Sequence, residues 1–131
     1  MGKKIEEIDP DHIHIATEGT LGLWARAYLS KRGIGHNTAY HTKFPEGLKT
    51  LFGIPEWITW RFVRWFHKHS GKVLTTTETM KRDLLNHGFK DNIVSWTRGV
   101  DREIFNSSHR HDNINGKYLL CVSRVSKEKN L

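Results

Sequence analysis

Hydrophobic positions fall along this chain with two periods, and the switches between them outline its elements. Around residues 12–17, Ile13 and Ile15 stand two apart, with Pro10 ahead and Glu18-Gly19 behind, which predicts a strand ending in a loop. From Leu21 the spacing becomes three and four through Trp24, Ala25, Tyr28 and Leu29, while Arg26, Lys31 and Arg32 fall elsewhere. With Gly33 as a left-handed stop, that pattern predicts a helix of about three turns. Residues 37–42 read as a second strand. The interval from Phe44-Pro45 to Gly53-Ile54-Pro55, broken by proline and glycine at both ends, reads as a long loop of the kind that often carries function. Pro55 opens a helix to about His69, with Ile58, Phe62, Trp65 and Phe66 on one face and Trp57, Arg61, Arg64 and Lys68 on the other. Residues 72–76 read as a third strand. Thr77 caps a helix through Met80, Leu84 and Leu85 to Gly88, and residues 92–96 form a fourth strand. Residues 98–117 lose periodicity and gather Asn, Ser, Asp, His and Gly, whereas 118–123 again read as a buried strand.

Strand and helix in alternation predict an α/β fold, a Rossmann-like parallel sheet with helices on both faces joined by right-handed crossovers. On this reading residues 1–97 belong to one domain, 98–117 are a linker, and 118–131 begin another.

Composition narrows the class. The chain has 131 residues, few enough for one domain, and 37% hydrophobic with 11% aromatic content gives it a core that a disordered chain lacks. Lys and Arg number 21 against 14 Asp and Glu, a net charge of +7 that bears on partners and solubility rather than on fold. The single cysteine, Cys121, excludes an internal disulfide framework and any metal site needing two thiolates from this chain. Arg61 and Arg64 interrupt the most aromatic stretch, and Glu6, Glu7, Asp9 and Asp11 stand where a signal peptide is apolar. A cytoplasmic protein is the expectation.

Ligands of open parallel sheets sit outside the carboxyl ends of the strands, which directs attention to Glu18-Gly19 and His41-Thr42. His41 directly follows a strand and would aim its imidazole into that crevice as hydrogen-bond donor or proton carrier; a half-buried loop histidine is the plainer reading. Glu18 could accept hydrogen bonds from a polyhydroxyl substrate while Gly19 admits close approach of backbone, or simply sit ahead of the helix from Leu21 as a favourable charge. Arg124 and Lys129 flank the loop after the last strand and would suit a diphosphate, one as a fork and one as a point charge, or merely face solvent. The His-x-His pairs His12/His14, His67/His69 and His109/His111 lack an identifiable third ligand, so no metal is assigned. Trp57, Arg61, Arg64 and Lys68 also fit a helix lying on an anionic bilayer, although a charged back is what any sheet-covering helix shows. Cations scattered over the whole chain, without a helix-turn-helix or RNP-type pattern, argue against nucleic acid.

Four motifs then occur in order. They are Pro10-Asp11-His12-Ile13-His14-Ile15-Ala16-Thr17-Glu18-Gly19 with Leu21-Gly22-Leu23; Tyr40-His41-Thr42 with Phe44-Pro45; Arg98-Gly99-Val100-Asp101 with Phe105; and Ser123-Arg124-Val125 with Glu128-Lys129-Asn130-Leu131. Together they resemble glycosyltransferase family 4, nearest its bacterial and plastid members related to mannosyltransferases and sulfoquinovosyl-diacylglycerol synthases. Ser123 stands where that family usually has glycine, and Arg98 where many members have asparagine.

The resemblance implies a GT-B fold of two facing Rossmann-like domains. The implied reaction moves a sugar from a nucleotide-sugar to a sugar, glycan or lipid acceptor with retention of configuration, without metal or other cofactor. It makes residues 1–97 the second half of the acceptor-side domain and 118–131 the start of the donor-binding domain. Arg124 and Lys129 would hold the donor diphosphate. His41 would be the catalytic residue, near the transferred sugar and leaving phosphate, and Glu18, Gly19 and Thr42 would line the acceptor side. The family's glycine-rich opening strand would precede residue 1, and its paired glutamates and base pocket would follow residue 131. The chain alone is therefore expected to have little or no activity. Peripheral contact with the cytoplasmic membrane face through Trp57, Arg61, Arg64 and Lys68 accompanies this reading. The alternative is a non-catalytic basic α/β module that binds an anionic lipid surface or nucleic acid.

Overall fold

The sheet of this protein is built of short parallel strands, β1 (His14–Ile15), β2 (Asn37–Tyr40), β3 (Val73–Thr75) and β4 (Ile93–Ser95), hydrogen-bonded in that order. They are seen in a computed structural model that describes residues 2–97, 99–110, 116–123 and 125. The chain divides after Thr97 into two units.

In the register, Ile15 lies opposite Thr38, Thr38 opposite Val73 and Val73 opposite Ile93. Side chains alternate across a strand, so Ile15, Thr38, Tyr40, Val73, Thr75 and Ile93 share one face. The helices cover that face. Leu29 of α2 (Thr20–Arg32) and Phe66 of α4 (Glu56–His67) pack with Ile15; Trp60 and Val63 of α4 and Leu84 of α5 (Glu78–Asn86) pack with Tyr40, Val73 and Ile93. The α/β class and the Rossmann-like parallel sheet are as the pattern predicts, and helices α2, α4 and α5 all pack on this one face. Strictly sequential strand order explains this, because right-handed crossovers in one direction send every connecting helix to the same side. Ala39, Leu74 and Val94 point to the other face, where the Trp96 ring lies 6.4 Å from those of both His14 and His41.

Several elements differ from expectation. The presumed long loop is largely helix α3 (Phe44–Phe52). Pro45 sits in its first turn, where a missing N–H costs nothing, and Gly53 closes it at φ 68°, so the residues read as breakers are the helix's own boundaries. A further helix, α1 (Gly2–Ile8), buries no residue; the Tyr28 hydroxyl tethers it by donating to Glu6 Oε1 at 2.6 Å, and Arg32 pairs with Glu6 at 3.4 Å. The predicted strand over 12–17 pairs only at His14–Ile15. Helix α4 turns a different face inward: Thr59, Trp60, Val63, Phe66 and His67 are buried, while Ile58 and Trp65 are exposed. Aromatic and aliphatic side chains surround this helix, so apolarity alone did not select the face.

In the second unit, Asp101 Oδ1 accepts from the Glu103 and Ile104 amides, and a single 3-10 turn follows at Ser107–His109. The strand expected over 118–123 is absent among the described residues. No helix of the described residues is long and apolar enough to cross a membrane.

Candidate functional site

The carboxyl end of β1 runs almost without interruption into α2, and one residue makes that possible. A Cβ at Gly22 would stand 1.9 Å from the Thr17 carbonyl oxygen and 3.2 Å from Ile15 Cγ2, so only glycine lets the first turn of α2 lie against the strand end. The Gly19 amide donates to Thr17 Oγ1 at 3.3 Å, tightening the same turn. Glu18 is thereby turned inward, and its Oε1 lies 3.2 Å from Nε2 of His67, whose side chain is wholly buried at the end of α4.

The contact continues inward. His67 Nδ1 lies 2.7 Å from Thr38 Oγ1, which lies 2.8 Å from Ser70 Oγ. With the His67 proton on Nε2 facing the carboxylate, the chain runs in one direction: Ser70 donates to Thr38, Thr38 donates to Nδ1, and Nε2–H donates to Glu18. Every member is then satisfied in a setting where an unpaired polar group is costly. The relay ties the β1 end, strand β2 and helix α4 together, and it engages the carboxylate whose side chain was expected to accept from a sugar.

His41 is half-buried just past β2, with the exposed Thr42 beside it. The Phe44 amide donates to the Thr42 carbonyl at 2.7 Å and Lys43 pairs with Glu46 at 3.4 Å, so the turn into α3 is held at both ends. Beneath His41, Tyr40 is fully buried against Trp60 and His67, with ring centroids 6.2 and 6.1 Å away. Burial pushes its phenol well above the ordinary tyrosine value, and the carboxylates of Glu46, Glu18 and Asp83 add to that. Glu18, Gly19, His41 and Thr42 thus stand at the ends of neighbouring strands β1 and β2. Arg124 and Lys129 lie outside the described residues.

Residues 1–104, which include all these strand ends, match the family model for Glycosyltransferase Family 4. The chain belongs to glycosyltransferase family 4. Over its whole length it is 26% identical to a GDP-mannose-dependent alpha-mannosyltransferase of Mycobacterium tuberculosis (strain CDC 1551 / Oshkosh), of which it spans 36%. No solved structure matches it.

The family match covers these strand ends, and the structure adds residues that motif reading passed over. His67 was visible only as half of a His-x-His pair; its partner Glu18 lies 49 residues away in the chain. Thr38 and Ser70 carried no signal beyond being small and polar near strands. Among the described residues no group of three or more His, Cys, Asp or Glu converges as metal ligands would.

Proposed function

We propose that this glycosyltransferase family 4 chain supplies the acceptor-side wall of the cleft in a retaining, nucleotide-sugar-dependent enzyme, and that it turns over little or nothing alone. The observation that carries this reading is the extent of the family match. It spans the strand ends that bear Glu18, Gly19, His41 and Thr42, and stops before Arg124 and Lys129, the residues assigned to the donor diphosphate. The related mannosyltransferase is named for GDP-mannose, which we carry over as the donor class.

In this reading His41 presents its imidazole at the mouth of the cleft, where a hydrogen bond to oxygen gaining charge in the transition state counts most. Thr42 and the turn at Gly19 meet the acceptor. Glu18 works through His67, fixing the loop rather than touching sugar. The chemistry needs no metal or cofactor, and a cytoplasmic location goes with a nucleotide-sugar donor.

Two measurements test it. Radiolabelled GDP-mannose incubated with the chain and membrane acceptors is expected to give no transfer above blank; turnover by the chain alone overturns the claim of inactivity. Titration of the 15N-labelled chain with methyl α-mannoside is expected to shift amides at Gly19, His41 and Thr42, and His41→Ala to weaken those shifts about tenfold or more. Shifts confined to other residues, or none, overturn the cleft assignment.

A further inference from the structure

The opposite end of the sheet carries a feature that the cleft function proposed above does not use. Between the C-terminal half of α4 and the 88–92 loop leading into β4 lies a groove of about 370 Å3, with Arg61, Arg64, Trp65, Lys68, Phe89 and Lys90 in its walls. Four of these side chains are cations, and no Asp or Glu lines the groove.

Basic residues at the end of a helix ordinarily answer its exposed carbonyls. Here another residue does so: Arg26 donates to the Trp65 carbonyl at 2.7 Å and the Phe66 carbonyl at 2.8 Å. Arg64 donates to the His87 carbonyl at 3.0 Å, joining the two walls. Arg61, Lys68 and Lys90 enter no ion pair among the described residues, whose carboxylate pairings involve Glu6, Glu18, Glu46, Glu56 and Asp83. Three exposed cations held around one concavity repel one another until an anion enters.

The remaining walls are apolar and fixed. The Trp65 ring is pinned by the Arg26 guanidinium, 3.8 Å from its centroid, yet stays half exposed. The Phe89 ring packs 5.7 Å from that of His67. The volume falls within the roughly 300–1,000 Å3 of small-molecule sites, and an apolar wall with a few convergent charges is their usual make-up. Cations gathered in one concavity, rather than in a stripe, do not track a nucleic-acid backbone.

We propose that this groove binds an organic phosphate, its phosphate at Arg61, Lys68 and Lys90 and its ring or apolar remainder against Trp65 and Phe89. The phosphate ester is the recognised chemistry, whether soluble or the headgroup of a lipid. This site touches the strand-end relay at His67, which also lines the groove, but its chemistry does not depend on the function proposed for the strand ends.

The test uses the 131-residue chain with phenyl phosphate, inorganic phosphate, and phosphatidylcholine vesicles with and without phosphatidylglycerol. Phenyl phosphate is expected to bind more tightly than inorganic phosphate. The triple variant R61Q/K68Q/K90Q should weaken binding about tenfold or more, and K3Q/K4Q/K31Q, which removes the same charge from exposed sites elsewhere, about twofold or less. Binding seen only on phosphatidylglycerol vesicles, and lost in the groove variant alone, assigns the headgroup as the source; binding of phenyl phosphate without vesicles assigns a soluble ester. Equal weakening in both triples, or no binding of any probe, overturns the proposal. Should the groove variant fail to fold, amide shifts of the unaltered chain decide: on adding phenyl phosphate they should be confined to residues 61–68 and 88–92, and shifts at cations across the surface overturn it.

Discussion

Two short apolar segments of this chain meet different fates. Val73-Leu74-Thr75 forms β3, with neighbours β2 and β4 on both edges and Val73 and Thr75 buried. Tyr118-Leu119-Leu120-Cys121-Val122 is richer in apolar groups, yet it forms no strand, and Leu119, Leu120 and Val122 are 103%, 77% and 89% exposed. The difference lies in pairing. Around β3 the backbone is answered on both sides, with the Thr38 amide donating to Lys72 O at 3.0 Å and the Val73 amide to Asn92 O at 3.1 Å. A strand becomes stable when partners satisfy its amides and another layer covers its side chains, and apolarity supplies neither.

That contrast can be broken by substitution. Phe66→Ala, which empties a fully buried site against Ile15 and Leu29, should cost about 3–5 kcal/mol in urea unfolding followed by circular dichroism. A loss under about 1 kcal/mol would mean that packing of α4 on the sheet is not what separates the two regions. Thr38→Val should cost about 1–3 kcal/mol, because it strands His67 Nδ1 and the Ser70 hydroxyl in the interior. A neutral result would mean the relay adds nothing to holding β2 beneath α4.

Tyr40→Phe sharpens the comparison through pH. The Tyr40 hydroxyl is buried with only a weak interaction with the Phe44 backbone to answer it, so at neutral pH its removal should change stability by about 1 kcal/mol or less. The fold holds this phenol protonated above its ordinary value of 10.0, so its contribution is complete below that pH and lost as pH rises through and beyond it. The unfolding free energy of the unaltered chain, from urea melts, should therefore fall above about pH 10, with Tyr40 contributing at most about 1.4 kcal/mol per pH unit for its one proton, and fall less steeply in Tyr40→Phe. Parallel curves would sink this assignment. The smallest effect belongs to the other region: Leu119→Ser should change stability by about 0.5 kcal/mol or less, and a loss above about 1 kcal/mol would show that the segment pairs after all.

Much of the first unit was readable before its structure. Thr77 caps α5 by accepting from the Met80 amide at 3.2 Å, and α2 ends at Gly33, both as their residue types predict. Helix α3 was missed because Pro45 and Gly53 were weighed as breakers of structure, without regard to which end of a helix each suits. The inward face of α4 was misplaced because that helix is aromatic nearly all round and buries a histidine. At the strand ends, Glu18 and His41 were legible from position, whereas Glu18's partner was not.

The sequence by itself determined the alternation of strands and helices, the caps that bound them and the strand ends that carry the candidate site. Period and end chemistry are local properties, decided within a few residues. Only the tertiary structure decided that Glu18 meets His67, that Arg26 answers the carbonyls of α4, and that Arg61, Lys68 and Lys90 share one groove. Those meetings depend on crossovers that bring distant residues together, and no local spacing encodes which atoms will then lie within a hydrogen bond of each other.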